Sequence, residues 1–186
     1  MRFLLSKPVI MLLPAMAATL VSGQAPPAAS QKLAPYVSSP QPIVDKMLEI
    51  ARLKSGETLY DLGCGDGRIL LSAARNFGAR AYGVELSPTL AQRARQMAES
   101  QGLQDQVKVV QGDMMNVDLS AAQVVSLYLM TDANEQLRPK LERELKPGAR
   151  VVSLEFKIKG WKPARVEKVE AHRHPYTIYL YELPQK

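Results

Sequence analysis

Apolar residues at positions 43, 44, 47, 48, 50 and 51 fall on one stripe at helical spacing, which predicts a helix over residues 43–53 with Pro42 in its first turn. Beyond it the period alternates. Residues 58–62 read as a strand, 68–76 as a helix and 81–86 as a second strand, after which Ser87-Pro88 caps a helix that Gly102 stops. Residues 107–110 and 124–129 read as the third and fourth strands. A helix over 134–145, interrupted by Pro139, ends at Lys146-Pro147-Gly148, and a fifth strand covers 149–156. The last segment breaks the alternation, because 164–169 and 177–182 read as two strands joined by a turn around His172-Arg173-His174-Pro175, with no helix between them. Alternating strands and helices with right-handed crossovers imply a parallel sheet, and the closing strand pair implies an antiparallel edge. The expected fold class is α/β, a doubly wound, mostly parallel seven-stranded sheet.

The pattern before residue 32 is different in kind. Arg2 and Lys7 precede an apolar run over 8–21, small residues follow in Ser22-Gly23-Gln24-Ala25, and no charged side chain occurs from 8 to 31. A positive flank, a short apolar core and small residues at a cleavable position read as a signal peptide over 1–23, followed by a linker over 24–35 and one domain over 36–186. An uncleaved, membrane-anchored N-terminal segment is the alternative and would hold the domain near a membrane. Both readings put the domain outside the cytoplasm, exported or periplasmic. Composition adds little: 46% apolar and 23% charged residues are an ordinary balance for one globular domain. The formal charge of +6 shrinks if a leader carrying Arg2 and Lys7 is removed. Lys157, Lys159, Lys162 and Arg165 form the densest basic patch and read as a solvated face, so no specific nucleic acid is expected as partner. Cys64 is the only cysteine, which excludes an intramolecular disulfide. A monomer is the expected assembly.

Candidate chemistry concentrates in Tyr60-Asp61-Leu62-Gly63-Cys64-Gly65-Asp66-Gly67-Arg68, where a strand meets glycines at every second position and then runs straight into a helix. Glycines suit such a loop because they accept positive φ and let a ligand touch the backbone. A nucleoside is the natural occupant. The dinucleotide fingerprint GxGxxG would need its third glycine at position 68, where Arg68 stands. A pyrophosphate also wants backbone N–H groups and positive dipole ends, and Asp61 and Asp66 would repel it. S-adenosylmethionine suits the loop better, since its sulfonium is cationic and its amino group is a donor. Gly63, Cys64, Gly65, Asp66 and Gly67 are therefore candidate cofactor contacts. Cys64 reads as a small residue in a tight loop, with a catalytic thiol as the alternative.

In a doubly wound sheet, ligands bind outside the carboxyl ends of the strands, where strand order reverses. Asp61, Glu85 and Asp113 end three successive strands. Glu85, with Leu86 beside it, follows Gly63 by about 20 residues, the spacing at which an acid reaches ribose hydroxyls. Asp61 is assigned to the methionine amino end, and Asp113 with the neighbouring Met114 backbone to the adenine. With these residues the chain resembles the class I S-adenosylmethionine-dependent methyltransferases over about residues 36–182. More narrowly it is similar to the small protein-lysine methyltransferase family that acts on the ATP synthase c subunit and the adenine nucleotide translocase, and to its bacterial relatives. That likeness rests on the glycine loop and on Tyr36-Val37-Ser38-Ser39-Pro40, Val84-Glu85-Leu86-Ser87-Pro88, Leu127-Tyr128-Leu129, Leu137-Arg138-Pro139-Lys140-Leu141 and Leu145-Lys146-Pro147-Gly148-Ala149-Arg150-Val151-Val152-Ser153. It implies a Rossmann-like methyltransferase fold, S-adenosylmethionine as cofactor and methylation of a lysine ε-amine in a protein substrate. The family more often has Pro-Thr where Ser38-Ser39 stands and a histidine near Leu154, departures that fall on the substrate side.

An Asn/Asp-Pro-Pro-aromatic motif after the fourth strand would bind a planar amide or base amine. Here Ser126-Leu127-Tyr128-Leu129-Met130-Thr131 stands instead, which argues against adenine N6 or glutamine as acceptor. Tyr128 and Tyr36 are candidates for the substrate channel, and a buried strand aromatic is the alternative for Tyr128. No base is assigned. A lysine at pH about 7.4 lies roughly 3 units below its pKa, so deprotonation costs about 4 kcal/mol. Desolvation lowers that cost, and alignment of the reactants supplies roughly 7 to 11 kcal/mol. His172 and His174 fall on a strand connection near the far edge, and no metal is expected. A small-molecule methyltransferase and a non-catalytic S-adenosylmethionine-binding module are the competing functions. Export would raise the further question of how a cytosolic cofactor reaches the enzyme.

Overall fold

The computed structural model describes residues 37–185. The expected leader, the linker and Tyr36 lie outside the described residues. In chain order the elements are α1 (Gln41–Ile50), β1 (Thr58–Leu62), α2 (Arg68–Phe77), β2 (Arg80–Glu85), α3 (Pro88–Ser100), β3 (Val107–Gln111), β4 (Val124–Leu127), α4 (Thr131–Glu144), β5 (Arg150–Leu154), β6 (Arg165–Ala171) and β7 (His174–Glu182), with a 3-10 turn at Met114–Asn116. The strands form one seven-stranded sheet in the order β3-β2-β1-β4-β5-β7-β6. β1 to β5 pair in parallel, and β7 runs antiparallel between β5 and β6.

Each face of the sheet carries its own core. On one, Ile43, Val44, Met47 and Leu48 of α1 and Leu70, Ala73 and Ala74 of α2 cover Leu59, Val152 and Ile178. On the other, Leu137 and Leu141 of α4, with Leu119, Ile158 and Trp161, cover Leu62, Val125, Leu127 and Val151. The central strands β1, β4 and β5 are buried along their whole length, as a doubly covered parallel sheet requires. The crossovers β1-α2-β2-α3-β3 lie on the first face and β4-α4-β5 on the second, so strand order reverses between β1 and β4. That reversal opens the crevice in which ligands sit.

Several element bounds differ from the sequence expectation, β5 for one ending at Leu154 and not at 156. β4 stops at Leu127, not 129, so Tyr128 leaves the sheet at the strand exit. α4 begins at Thr131, three residues before the expected start, and runs unbroken through Pro139. The amide that Pro139 lacks and the clash with the preceding turn are offset by buried Leu137 and Leu141 and by the ion pair of buried Lys140 with Glu144 at 2.8 Å. The β6–β7 connection is tighter than expected: His172 and Arg173, at φ +53 and +62, make a two-residue turn, and His174 already pairs with Ala171. The 3-10 turn after β3 has no counterpart in the hydrophobic pattern, because three residues leave no periodicity.

Candidate functional site

The glycine loop is pinned at both ends. Gly63 N–H and Cys64 N–H donate to the Val84 carbonyl at 2.8 and 3.1 Å, and Gly67 N–H donates to the Cys64 carbonyl at 2.9 Å. This path needs φ of +83, +54 and +82 at Gly63, Gly65 and Gly67, values that disfavour any residue with a Cβ. The loop also lies so close to β2 that a Cβ on Gly83 would come within 2.6 Å of the Cys64 sulfur. Cys64 is buried, and that burial, reinforced by the charges of Asp61 and Glu85, holds its thiol far above the ordinary range. A neutral, buried thiol is a poor nucleophile. The packing reading of Cys64 therefore fits the structure, and the alternative of a catalytic thiol does not.

Two carboxylates flank the loop. Asp61, at the end of β1, is 3% exposed and accepts a 2.7 Å hydrogen bond from Ser126 Oγ on β4. Burial, with the charges of Glu85 and Asp66 adding to it, pushes its pKa up to about 7 against that hydrogen bond. Glu85, at the end of β2, is buried and accepts from Gly65 N–H at 2.9 Å and Ser87 N–H at 2.8 Å. Its side chain is held in place by the same loop it orders. Asp66 is engaged differently. Its two oxygens meet Arg68 Nε and Nη2 at 3.0 and 2.7 Å, while Arg68 Nη1 donates to the Ser39 carbonyl at 2.6 Å, so the fork ties the loop to the segment before α1. Gly67 caps α2 without a side-chain hydrogen bond, which leaves the helix N-terminus facing the loop.

The strand register brings the third acid to the same edge. β3 pairs with β2 through Glu85 and Gln111, and Asp113 follows at the head of the 3-10 turn, its carboxylate accepting from Met115 N–H at 2.9 Å. Met114 and Leu86 are half-buried beside it. Asp61, Gly63, Cys64, Gly65, Asp66, Gly67, Glu85, Leu86, Asp113 and Met114 thus gather at the carboxyl ends of β1, β2 and β3. A carboxylate kept near neutrality by burial favours a cation beside it, since an opposite charge returns it to the ionised form. A carboxylate already anchored by backbone donors suits hydroxyls. Those demands match the sulfonium, ammonium and ribose of S-adenosylmethionine.

Across the reversal, β4 and β5 carry a second set of groups. Tyr128 is half-buried and its ring lies 6.3 Å from that of Phe156. Burial raises its phenol pKa, and the charge of Glu155 adds to the rise. Tyr128 is therefore a strand-exit residue and not the buried strand aromatic. Leu129 reaches the glycine loop, its Cδ2 lying 3.3 Å from where a Gly63 Cβ would stand. Fully buried Asn134 donates through Nδ2 to the carbonyls of Leu129 and Phe156, both at 3.3 Å. Ser126, Asn134, Glu155 and Phe156 were not anticipated as site residues. Ser126, a polar residue inside the apolar strand, was the one visible signal. His172 and His174 are exposed at the β6–β7 turn, away from this edge.

The ANTKMT methyltransferase domain matches residues 61–165, more than half the chain. A protein-lysine N-methyltransferase of Saccharolobus islandicus is 47% identical over 148 residues, which cover 79% of this chain and 92% of that protein. The adenine nucleotide translocase lysine N-methyltransferase of Mus musculus is 39% identical over 71% of this chain, and the match spans only 57% of the mouse protein. Among solved structures, an RNA methyltransferase from Salinibacter ruber in complex with S-adenosyl-L-homocysteine superposes with a TM-score of 0.76 at 43% identity, covering 81% of this chain and 95% of that one.

Proposed function

The chain belongs to the ANTKMT methyltransferase domain family and is an S-adenosylmethionine-dependent methyltransferase, and we propose that its acceptor is a lysine ε-amine of a protein substrate. The observation that carries the reading is the pairing, across one strand-order reversal, of a buried carboxylate site for a cation with an aromatic strand exit that lacks the amide-binding Asn/Asp-Pro-Pro motif. The names of the Saccharolobus and mouse relatives support lysine over a small-molecule acceptor.

In this reading Glu85 takes the ribose hydroxyls, Asp61 faces the ammonium end, and Asp113 with Met114 borders the adenine. The amides at the start of α2, of which Arg68 N–H also reaches Asp66 Oδ1 at 3.4 Å, face the cofactor's carboxylate. The cofactor supplies an electrophilic methyl carbon on a cationic sulfur. The protein's task is to bring an uncharged lysine nitrogen in line with it: the ammonium proton leaves to solvent, the nitrogen lone pair forms the new C–N bond, and the S–C electron pair stays on sulfur. The half-buried Tyr128 and Phe156 rings desolvate the amine as it approaches, which lowers its pKa and the cost of deprotonation. No side chain is assigned as general base. Tyr36, outside the described residues, stays a proposed channel residue. We also propose an exported or anchored location and a leader over 1–23, which cell fractionation and N-terminal sequencing of the mature protein would test, and a monomer, which the mass in solution would test.

The deciding experiment incubates the full chain with methyl-labelled cofactor and separate protein, RNA and small-molecule fractions of its own cells, then hydrolyses the products for mass spectrometry. Methyl-lysine is the expected product. Label confined to RNA would favour the acceptor named for the Salinibacter protein, and label confined to small molecules would overturn both readings.

A further inference from the structure

β5 ends in a turn that glycine would ordinarily make. Glu155 has φ +64, in the left-handed region that non-glycine residues rarely occupy. Convergent hydrogen bonds hold it there. Glu155 N–H donates to the Thr177 carbonyl at 2.7 Å, Thr177 N–H returns to Glu155 Oε1 at 2.5 Å, and Phe156 N–H reaches back to the Leu154 carbonyl at 2.8 Å. The Phe156 carbonyl accepts from Ser153 Oγ at 2.6 Å as well as from Asn134. Backbone held in a disfavoured region by so many partners is characteristic of functional sites.

The position of this turn fits acceptor binding. Leu62 pairs with Leu127 and Leu127 with Ser153, so the glycine loop, Tyr128 and Glu155 emerge from the same edge. With strands about 4.8 Å apart, Glu155 stands two strands, or roughly 10 Å, from the loop. An open depression of about 550 Å³ begins at Glu155 and Phe156 and is walled by Thr131, Lys157, Trp161 and Tyr179. The cations there are already engaged: Lys157 Nζ lies 5.8 Å over the Tyr179 ring, and Lys159 pairs with Glu135 at 3.2 Å. Glu155 makes no ion pair among the described residues. A carboxylate with no ion partner among the described residues, one oxygen held by the Thr177 N–H, in a depression it shares with the Phe156 and Tyr179 rings is the chemistry that recognises an ammonium, through charge and through the ring faces.

We infer that Glu155 is the acceptor-binding anion, receiving the ammonium of a substrate lysine laid along the Tyr128–Phe156 wall before that nitrogen loses its proton. The inference rests on the lysine reading and adds to it the residue that selects a cationic acceptor. A carboxylate favours the protonated lysine and not the neutral nucleophile, so its contribution falls on acceptor binding and leaves the methyl-transfer barrier unassisted.

The test measures methyl transfer from labelled S-adenosylmethionine to poly-L-lysine by the full chain, with cofactor affinity followed in parallel by calorimetry. Glu155→Gln keeps a carbonyl for the Thr177 N–H and removes only the charge, whereas Glu155→Gly also relieves the left-handed turn. Both variants should raise the KM for poly-L-lysine about ten-fold, as loss of a charge-assisted contact implies, with kcat and cofactor Kd within about two-fold of wild type. Added salt should raise the wild-type KM and barely move that of Glu155→Gln. A wild-type KM in Glu155→Gln would overturn the inference while leaving the lysine reading intact. Wild-type protein that methylates neither poly-L-lysine nor any protein lysine of its cells would overturn both.

Discussion

The two halves of the crevice are built by opposite means. On the side of β1, β2 and β3, one unbroken stretch from Asp61 to Gly67 makes most of the site, its shape fixed by glycines and by Glu85 taking the Gly65 and Ser87 amides. On the side of β4 and β5, Tyr128, Asn134, Ser153, Glu155, Phe156 and Thr177 come from four separate segments joined by side-chain hydrogen bonds. The first half binds through backbone geometry and buried charge, which suits one unvarying cofactor. The second is a set of side chains on strand exits, which can be exchanged without touching the loop. Beyond the β1–β4 pairing that carries both, the halves touch at the site through the Ser126–Asp61 hydrogen bond and the approach of Leu129 to Gly63. Damage to one should spare the other.

Removing Glu85 puts the largest strain on that division. Glu85→Ala deletes the acceptor of two backbone N–H groups as well as the proposed ribose contact, and a hydrogen bond to a charged group contributes roughly 1.5 to 3 kcal/mol. Cofactor Kd, read by calorimetry, should weaken on the order of 100-fold. Glu85→Gln, which keeps one carbonyl oxygen, should lose less. At saturating cofactor the KM for the lysine acceptor should stay within about two-fold. A comparable rise in acceptor KM would show that the halves are one cooperative unit.

Asp61 gives a smaller, pH-dependent effect. With its pKa near 7 in the cofactor-free protein against 3.8 in the unfolded chain, the folded state holds the extra proton between about pH 4 and 7. Stability of the free protein should therefore decline as pH rises through that window and level off above it. Cofactor binding runs the other way. In the proposed pose the ionised carboxylate faces a cation, so affinity should fall by up to about ten-fold per pH unit below 7, with a proton released on binding there, and hold steady above. Calorimetry in buffers of different ionisation enthalpy reads that proton directly. Asp61→Asn should flatten both profiles. If the slope of affinity survives in Asp61→Asn, another group titrates and the assignment of Asp61 to the cationic end fails.

The same division explains what the sequence could disclose. The glycine loop and the three strand-end acids were legible because each is a local signal: a spacing, a strand ending in an acid, a strand-to-helix junction. The sheet was legible for the same reason, down to the antiparallel final pair. Glu155 carried no such signal, since a glutamate after a strand reads as an ordinary surface residue, and only its φ of +64 and its bonds to Thr177 set it apart. Asn134 was hidden because the helix was expected to start there, whereas the helix begins at Thr131 and carries the side chain under both strand exits. Pro139 suggested an interruption that burial of Leu137 and Leu141 prevents.

The smallest expected effect tests the acceptor half by itself. Asn134 Nδ2 bridges the Leu129 and Phe156 carbonyls, and Asn134 Oδ1 is buried without a partner among the described residues. Two carbonyl acceptors fix the amide in this orientation, because the reverse would set oxygen against oxygen. Asn134→Ala removes both donors but also the orphaned oxygen, so the net loss is less than that of two ordinary hydrogen bonds, each about 0.5 to 1.5 kcal/mol. The β4 and β5 exits would then lose their cross-tie while Ser153 still holds Phe156. Acceptor KM should rise about three-fold with cofactor Kd unchanged. Asn134→Asp, which turns an oxygen toward the same carbonyls, should cost more. If Asn134→Ala weakens cofactor binding instead, the strand exits act through Leu129 on the glycine loop, and the two halves are coupled through that contact.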